Sequence, residues 1–324
     1  MRIIKTIAVI LAAAMLLGTS IGCENNSLTT QEKKLLIKVI VKKKDADFWK
    51  VVKMGTEAAG KEFDVNVDFD GPLDEKDIEG QIRMVNEVID QKADALVLAA
   101  SDYTKLVPAA EHVLAGNIPV VIIDSGIKSG KIKNFIGTDN VDAGEKLGQI
   151  LVRDYGTECS IGIMGFIQGA ASNDQREEGF YNSIRAYKGI RVLAKEYCGS
   201  DEALGQQLAE KMVREHPEIQ EFVCLNAYST VGTARAIKNL NKAGAIKIVG
   251  FDSTPEEVSF VEKGVIQSLV VQNPFKMGYL GVKHAVDAIK KAAVPELVNT
   301  GSQIINKENM YLPENQRLVF PFTE

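Results

Sequence analysis

Short apolar segments alternate with longer amphipathic segments from Leu35 onward, and this alternation restricts the fold more than any other feature. The first apolar segments are residues 35–41, 65–69, 95–99 and 119–123. Helical spacing of apolar residues follows the first three of them in turn, over residues 48–62, 78–91 and 106–115. Continuous apolar strands between amphipathic helices are typical of a parallel sheet with helices on both faces. The sequence therefore predicts a doubly wound α/β domain.

The same alternation then starts again. Predicted strands lie at residues 160–164, 190–197, 221–225, 247–251 and 266–272. Predicted helices lie at residues 143–155, 174–187, 204–215, 230–243, 258–263 and 274–291. A chain of 324 residues is long enough for about two domains. We therefore expect an α/β protein with two doubly wound lobes, and the lack of a short repeat excludes a solenoid.

The N-terminus has the order of features found in secretory signals. Arg2 and Lys5 give a positive start, and an almost wholly apolar run follows over residues 7–21. Gly22-Cys23 at its end resembles a bacterial lipobox, although Ser20 stands where that pattern usually has Leu. We expect residues 1–23 to be a signal peptide, Cys23 to be lipidated, and residues 24–34 to be a tether. The predicted location is extracytoplasmic, at the cell surface or in the periplasm, with a lipid anchor in the membrane.

Composition excludes several other classes of protein. The formal net charge of −5 gives no basic surface for nucleic acid. Cys159, Cys198 and Cys224 lack the spacing of a zinc site, so no metal or cofactor is expected, while a disulfide between two of them stays open. The three histidines lie away from the predicted strand ends, and no nucleophile triad or phosphate loop is present. Catalysis by the carboxylates of Asp124 and Asp252 as an acid–base pair, as in glycoside hydrolysis, is therefore not favoured.

Polar and aromatic side chains cluster just after the predicted strands. Parallel sheets bind ligands beyond the carboxyl ends of their strands. The candidate ligand contacts there are Phe48, Trp49, Asp124, Asn173, Arg176, Asn226, Asp252 and Gln272. Planar polar groups pair with adjacent hydroxyls, and aromatic rings cover apolar C–H faces, so the set fits a sugar.

Each candidate also has an ordinary structural explanation. Asp124 or Asp252 could cap the following helix, and Asn226 could occupy a turn. Arg176 could pair with a neighbouring glutamate on an exposed helix face, and Trp49 could belong to the core. Six polar planar groups at five strand ends favour the binding site over these separate explanations.

The chain resembles periplasmic binding proteins of the ribose type, which are the receptors of sugar ABC transporters. The resemblance covers about residues 35–308 and depends on segments at residues 116–124, 136–140, 176–180, 249–252 and 264–278. It implies that the eight residues above contact the ligand. It also implies three crossovers between the lobes, which places the N-terminal lobe at residues 35–138 plus 273–300. The C-terminal lobe is then residues 139–272 plus 301–324.

Departures from that family affect the ligand more than the fold. The loop Asp45-Ala-Asp-Phe-Trp49 replaces an Asn-Pro-Phe-Phe type, Ser125 follows Asp124 in place of Arg, and Ala227 follows Asn226 in place of Asp. Ribose itself is therefore not assigned as the ligand. We expect a monomeric receptor for a small neutral sugar that serves an ABC permease. The alternative is a sensory receptor that presents a sugar or a furanosyl autoinducer to a histidine kinase or chemoreceptor.

Overall fold

The computed structural model describes residues 33–322, and the first sheet within them is entirely parallel. Its strands are β1 Leu36–Ile40, β2 Asn66–Asp70, β3 Ala95–Leu98, β4 Val120–Ile123, β5 Phe135–Gly137 and β11 Leu297–Asn299. They lie in the order β2-β1-β3-β4-β5-β11. Reversal of the strand order around β1 creates a crevice between β1 and β3 at the carboxyl end of the sheet.

The second sheet repeats this order. Its strands are β6 Glu158–Gly165, β7 Gly189–Tyr197, β8 Glu221–Cys224, β9 Lys247–Phe251, β10 Ser268–Gln272 and β12 Ser302–Asn306. They lie in the order β7-β6-β8-β9-β10-β12, and β12 runs antiparallel to β10 while the other pairs are parallel. The crevice of this sheet therefore lies between β6 and β8.

Helices cover both sheets. Those of the first lobe are α1 Asp47–Glu62, α2 Ile78–Asp90, α3 Val107–Ala115 and α9 Pro274–Ile289. Those of the second lobe are α4 Asn140–Tyr155, α5 Ala171–Ile184, α6 Glu202–Glu215, α7 Ala227–Asn239, α8 Pro255–Glu262 and α10 Pro313–Val319. Each lobe buries apolar side chains against its own sheet. The prediction of two doubly wound α/β lobes is confirmed.

Two glycines fix the position of α1, which begins beside the crevice of the first sheet. A Cβ atom at Gly55 would lie 2.1 Å from the carbonyl oxygen of Phe275, and one at Gly278 would lie 2.1 Å from that of Val52. Only glycine permits so close a contact between the backbones of α1 and α9. The pair allows α1, whose first turn carries Phe48 and Trp49, to pack directly against α9.

The chain passes between the two sheets at three points: after β5, after β10, and between β11 and β12. A hydrogen bond joins the first two crossing segments: the Thr138 hydroxyl, after β5, donates to Gln272 Oε1, at the end of β10, at 2.9 Å. Asn299 Oδ1 accepts the backbone N–H of Gly301 at 2.8 Å and that of Asp139 at 3.3 Å. The three crossing segments therefore lie side by side.

Several elements differ from those expected from the sequence. Strands β5, β11 and β12 and helix α10 were not anticipated, because they are short and their apolar content is low. Helices α5 and α7 begin three residues earlier than apolar spacing predicts. The first turn of such a helix is defined by its cap, as for Asn226, whose Oδ1 accepts the Ser229 N–H at 2.9 Å.

Candidate functional site

A cavity lies between the two lobes, at the carboxyl ends of both sheets. It encloses about 410 Å³, part of it open to solvent. Seven of the eight candidate residues line it: Phe48, Trp49, Asp124, Arg176, Asn226, Asp252 and Gln272. The two lobes thus contribute side chains to one site.

Asn173 is the exception. Its side chain is fully buried, and its Oδ1 accepts the backbone N–H of Phe166 at 3.0 Å. Its Nδ2 donates to Asp174 at 3.2 Å. Asn173 does not lie among the residues that line the cavity; it fixes the backbone at Phe166, which does. The first turn of α5 directs Asn173 behind the cavity wall.

Arg176 is a buried cation that faces the cavity from α5. Its Nε donates to Asn140 Oδ1 at 2.9 Å, and its Nη1 donates to the carbonyl oxygen of Leu225 at 2.7 Å. The guanidinium carbon lies 4.0 Å from the centre of the Phe251 ring. Burial lowers the pKa of Arg176, and the carboxylates of Asp252 and Asp124 act in the opposite direction. The expected alternative, an exposed pair with a neighbouring glutamate, does not occur: Glu177 pairs with Lys195 instead.

Asp252 follows β9 with its carboxylate held on both sides. Oδ1 accepts Gln272 Nε2 at 2.6 Å, and Oδ2 accepts the Ala227 N–H at 3.1 Å. Burial raises the pKa of Asp252, while Arg176 and Gln272 lower it. Asp252 does not cap the next helix, because Thr254 performs that role with Glu257 in a capping box. Its carboxylate is therefore committed to the cavity wall.

Two charged residues of the cavity were missed by the sequence analysis. Lys42 follows β1 and is buried, with its Nζ 3.0 Å from Asp124 Oδ2 and 3.7 Å from Glu75 Oε1. Glu75 lies in the loop after β2 and is also buried. Lys42 belongs to a run of three lysines, which ordinarily indicates an exposed surface, and only its position directly after a central strand identifies it.

Aromatic rings complete the wall. Phe48 and Trp49 pack edge to face with their ring centres 4.9 Å apart. Phe166 and Tyr228 line the cavity from the second lobe. Burial raises the pKa of Tyr228 above the ordinary tyrosine value, so its hydroxyl stays protonated and can donate a hydrogen bond. Such rings cover the apolar faces of a ligand while the polar groups around them bind its edge.

The charges of the cavity are nearly balanced. Lys42 and Arg176 are cationic, while Glu75, Asp124 and Asp252 carry carboxyl groups. With three carboxyl groups against two cations, an anionic ligand would add uncompensated negative charge to a buried site, which is costly. The cavity therefore disfavours anions, and its planar polar groups suit a small molecule with several hydroxyl groups. In the described part of the chain, no group of three His, Cys, Asp or Glu side chains is arranged to hold a metal ion.

Comparison with known proteins identifies the family. The model of the periplasmic binding protein domain matches residues 37–293, which is well over half of the chain. The chain belongs to the periplasmic binding protein family. The D-allose-binding periplasmic protein of Escherichia coli (strain K12) is 27% identical to it over 79% of this chain and 85% of that protein. The ribose import binding protein RbsB of Bacillus subtilis (strain 168) is 25% identical over 91% of this chain and 96% of that protein. The resemblance to the ribose type is thereby confirmed.

Solved structures of similar proteins have the same two-lobed fold as this periplasmic binding protein. An ABC transporter solute-binding protein from Agrobacterium vitis with bound D-fucose has a TM-score of 0.85 and 32% identity, covering 88% of this chain and 100% of that one. A carbohydrate transporter solute-binding protein from Agrobacterium radiobacter in complex with D-arabinose has a TM-score of 0.86 and 29% identity. That match covers 89% of this chain and 99% of the other.

The remaining expectations concern the cysteines and the membrane. Cys159, Cys198 and Cys224 are free and buried, and burial raises the pKa of Cys159 and of Cys198 to about 11. Among the described residues, none of the helices combines the length and apolar character needed to cross a bilayer. The predicted signal peptide, the tether up to residue 32 and the lipidation site Cys23 lie outside the described residues.

Proposed function

We propose that this protein is the extracytoplasmic solute-binding receptor of an ABC transporter and that it closes around one small neutral sugar. The cavity between the lobes carries this proposal, because it combines planar polar groups with aromatic rings in the way a monosaccharide requires. The relatives named above support it, since they bind ribose, D-allose, D-fucose or D-arabinose. The family consists of substrate-binding proteins, and the receptor releases its sugar unaltered.

The ligand contacts in this proposal come from both lobes. Phe48, Trp49 and Asp124 belong to the first, Arg176, Asn226 and Asp252 to the second, and Gln272 to a crossing segment. Asn173 supports the wall from behind. The lobe boundaries are residues 35–138 plus 273–300, and 139–272 plus 301–324. The position of the three sheet crossings supports these boundaries. Ligand binding shifts the lobes toward the closed form, which the permease recognises.

The receptor is held at the membrane as a monomer through a lipid on Cys23. The positive N-terminus, the apolar residues 7–21 and Gly22-Cys23 support this part of the proposal. Cells that express the full chain are fed an alkyne fatty acid and fractionated, with Cys23→Ser as the comparison. We expect label and membrane association in the wild type alone. If the wild-type chain carried no label, lipidation of Cys23 would be refuted, while the proposed receptor function would still stand.

A thermal-shift screen tests the receptor directly. The chain from Glu24 onward is melted with D-ribose, D-allose, D-fucose, D-arabinose, other neutral sugars and polyols. A ligand that binds only the folded state adds ~2.7 kcal/mol of stability at a hundredfold excess over its Kd. We expect one sugar to raise the Tm and to be recovered chemically unchanged. Arg176→Ala and Asp252→Ala should abolish the shift, and a panel in which no neutral compound acts would contradict the proposal.

A further inference from the structure

Glu75 and Ser200 meet across the cleft from opposite lobes. The Ser200 hydroxyl donates to Glu75 Oε2 at 2.6 Å, and the two residues are only 4% and 5% exposed. Glu75 lies in the loop after β2 of the first lobe, and Ser200 precedes α6 of the second. A short hydrogen bond to a buried carboxylate is among the stronger polar contacts in proteins.

The backbone around Ser200 is held in an unusual conformation. Ser200 has a φ of 54°, directly after Gly199 with a φ of 62°. Glycine adopts this left-handed region without cost, but serine does not. Strain of this kind persists where surrounding contacts maintain it, and it marks candidate functional positions. Here it directs the Ser200 hydroxyl toward the other lobe.

The contact is joined to the cavity on both sides. Glu75 Oε1 lies 3.7 Å from Lys42 Nζ, and Ser200 Oγ accepts Asn226 Nδ2 at 3.4 Å. Lys42, Glu75 and Asn226 all line the cavity. The hydrogen bond between Glu75 and Ser200 therefore completes a polar chain from a cavity residue of one lobe to a cavity residue of the other.

Other polar contacts between the lobes are longer. The Lys42 ammonium lies 3.3 Å from Ser172 Oγ, and the Tyr103 N–H lies 3.3 Å from the carbonyl oxygen of Gly169. Lys43 adds a contact with the Tyr228 ring, 4.5 Å from its centre. None of these combines a charged acceptor, full burial and a short distance as the Glu75–Ser200 pair does.

We propose that Glu75 and Ser200 form an interlobe latch that slows ligand release and positions Asn226 over the bound molecule. This inference rests on the proposed function, because it describes how the closed receptor retains its ligand. The latch exists only when the lobes meet, with or without ligand. It must break before a bound ligand can leave, and it also favours the closed form of the ligand-free chain.

The Ser200→Gly variant tests the effect of the latch on ligand release without disrupting the fold. The substitution removes the hydroxyl but also relieves the left-handed strain, and because these effects on stability oppose each other the ligand-free variant should melt near the wild-type temperature. Asn241→Gly is the matched control, because Asn241 has a φ of 55°, is exposed and lies in the same lobe. For the carboxylate, Glu75→Gln is compared with Glu79→Gln, which removes an exposed charge nearby.

Stopped-flow fluorescence of Trp49, the single tryptophan, measures release of whichever panel sugar raises the wild-type Tm. We expect release from Ser200→Gly to be about tenfold faster, as a hydrogen bond to a charged group implies, and association to be no slower than in the wild type. Glu75→Gln should behave similarly, and the double variant should add little to either. Both controls should match the wild type.

Small-angle X-ray scattering of the ligand-free chain provides a test that needs no sugar. Ser200→Gly should have a larger radius of gyration than the wild type and than Asn241→Gly. Wild-type release rates in Ser200→Gly together with unchanged scattering would overturn the latch. If no panel sugar binds the wild type, the proposed function fails, and the scattering comparison alone decides the latch.

Discussion

Asp124 and Asp252 occupy equivalent positions in the two lobes and share an uncommon backbone conformation. Each follows the fourth strand of its sheet, with a φ of 59° and 76° respectively. Each donates its N–H to the next strand, Asp124 to the carbonyl oxygen of Ile136 and Asp252 to that of Val270. Glycine would adopt this conformation more easily. The two lobes therefore present equivalent carboxylates at the cleft, Asp124 beside Lys42 and Asp252 beside Gln272.

Asp252→Asn should weaken sugar binding tenfold to a hundredfold, or about 1–3 kcal/mol. The Asp252 carboxylate accepts from both Gln272 and the Ala227 N–H, and an amide can accept only on its oxygen. The substitution also removes a negative charge beside the buried Arg176. Isothermal titration with the sugar that raises the Tm measures the loss.

Asp64→Asn is the control for this substitution. Asp64 also has a left-handed backbone, with a φ of 53°, but it is exposed and lies outside the cavity. The Asp64→Asn variant should bind the sugar with the same affinity as the wild type. Equal affinities for Asp252→Asn and Asp64→Asn would show that Asp252 does not contact the ligand.

Arg176→Lys should lower both stability and affinity although it keeps the charge. A lysine ammonium cannot bond Asn140 and the Leu225 carbonyl together while stacking on Phe251. We expect a loss of about 1–3 kcal/mol in the free energy of unfolding, because a buried acceptor loses its donor. Urea titration measures it, with Arg185→Lys, an exposed arginine at the end of the same helix, as the control. A variant as stable as that control would contradict this account.

The sequence predicted the architecture because its strongest patterns describe buried strands and the helices between them. Strand β9, Lys247–Phe251, was predicted to the residue, since it is apolar and flanked by helices. Strands β11 and β12 were not predicted. They lie at Leu297–Asn299 and Ser302–Asn306, where the sheets supply pairing partners that local pattern cannot reveal.

The predicted site residues lie between the end of a strand and the first turns of the next helix, a position that can be inferred from topology. Glu75 also follows a strand, β2, but it was missed because it lies among charged residues, Asp74-Glu75-Lys76, which ordinarily indicate an exposed loop. Asn173 was predicted from its position but lies on the inner side of its helical turn. The direction of a side chain near a helix start depends on where the helix begins, and the sequence placed the start of α5 three residues too late.

Phe48 and Trp49 should differ in what they contribute. Trp49 is 5% exposed and belongs to the core of the first lobe, whereas Phe48 is half-buried at the cavity. Phe48→Ala should therefore weaken sugar binding with little change in Tm. Trp49→Ala should cost about 3–5 kcal/mol of stability, as for other large buried aromatic residues. Thermal melts and calorimetric titration of both variants distinguish the two roles, and a large fall in Tm for Phe48→Ala would contradict the assignment.

Glu221 is a fully buried carboxyl group at the start of β8, far along the strand from the cleft. Neither carboxyl oxygen has a hydrogen-bond partner within the described residues. Burial, with a smaller contribution from Asp154, raises the pKa of Glu221 to about 8, while Lys247 and Arg153 act in the opposite direction. The folded protein therefore keeps this group protonated at a pH where the unfolded chain has released the proton.

The free energy of unfolding should consequently fall as the pH rises from the ordinary glutamate pKa of 4.5 to about 8, and then level off. Across this window the folded state binds more protons than the unfolded state, so each increase in pH favours unfolding. Glu221→Gln, which stays neutral, should match the wild type near about pH 5 and exceed it by a few kcal/mol near about pH 9. Urea titrations at both values measure the difference, and the exposed Glu218→Gln should show no such divergence. Parallel pH profiles for the wild type and Glu221→Gln would mean that Glu221 is ionised in the folded protein and has a compensating partner.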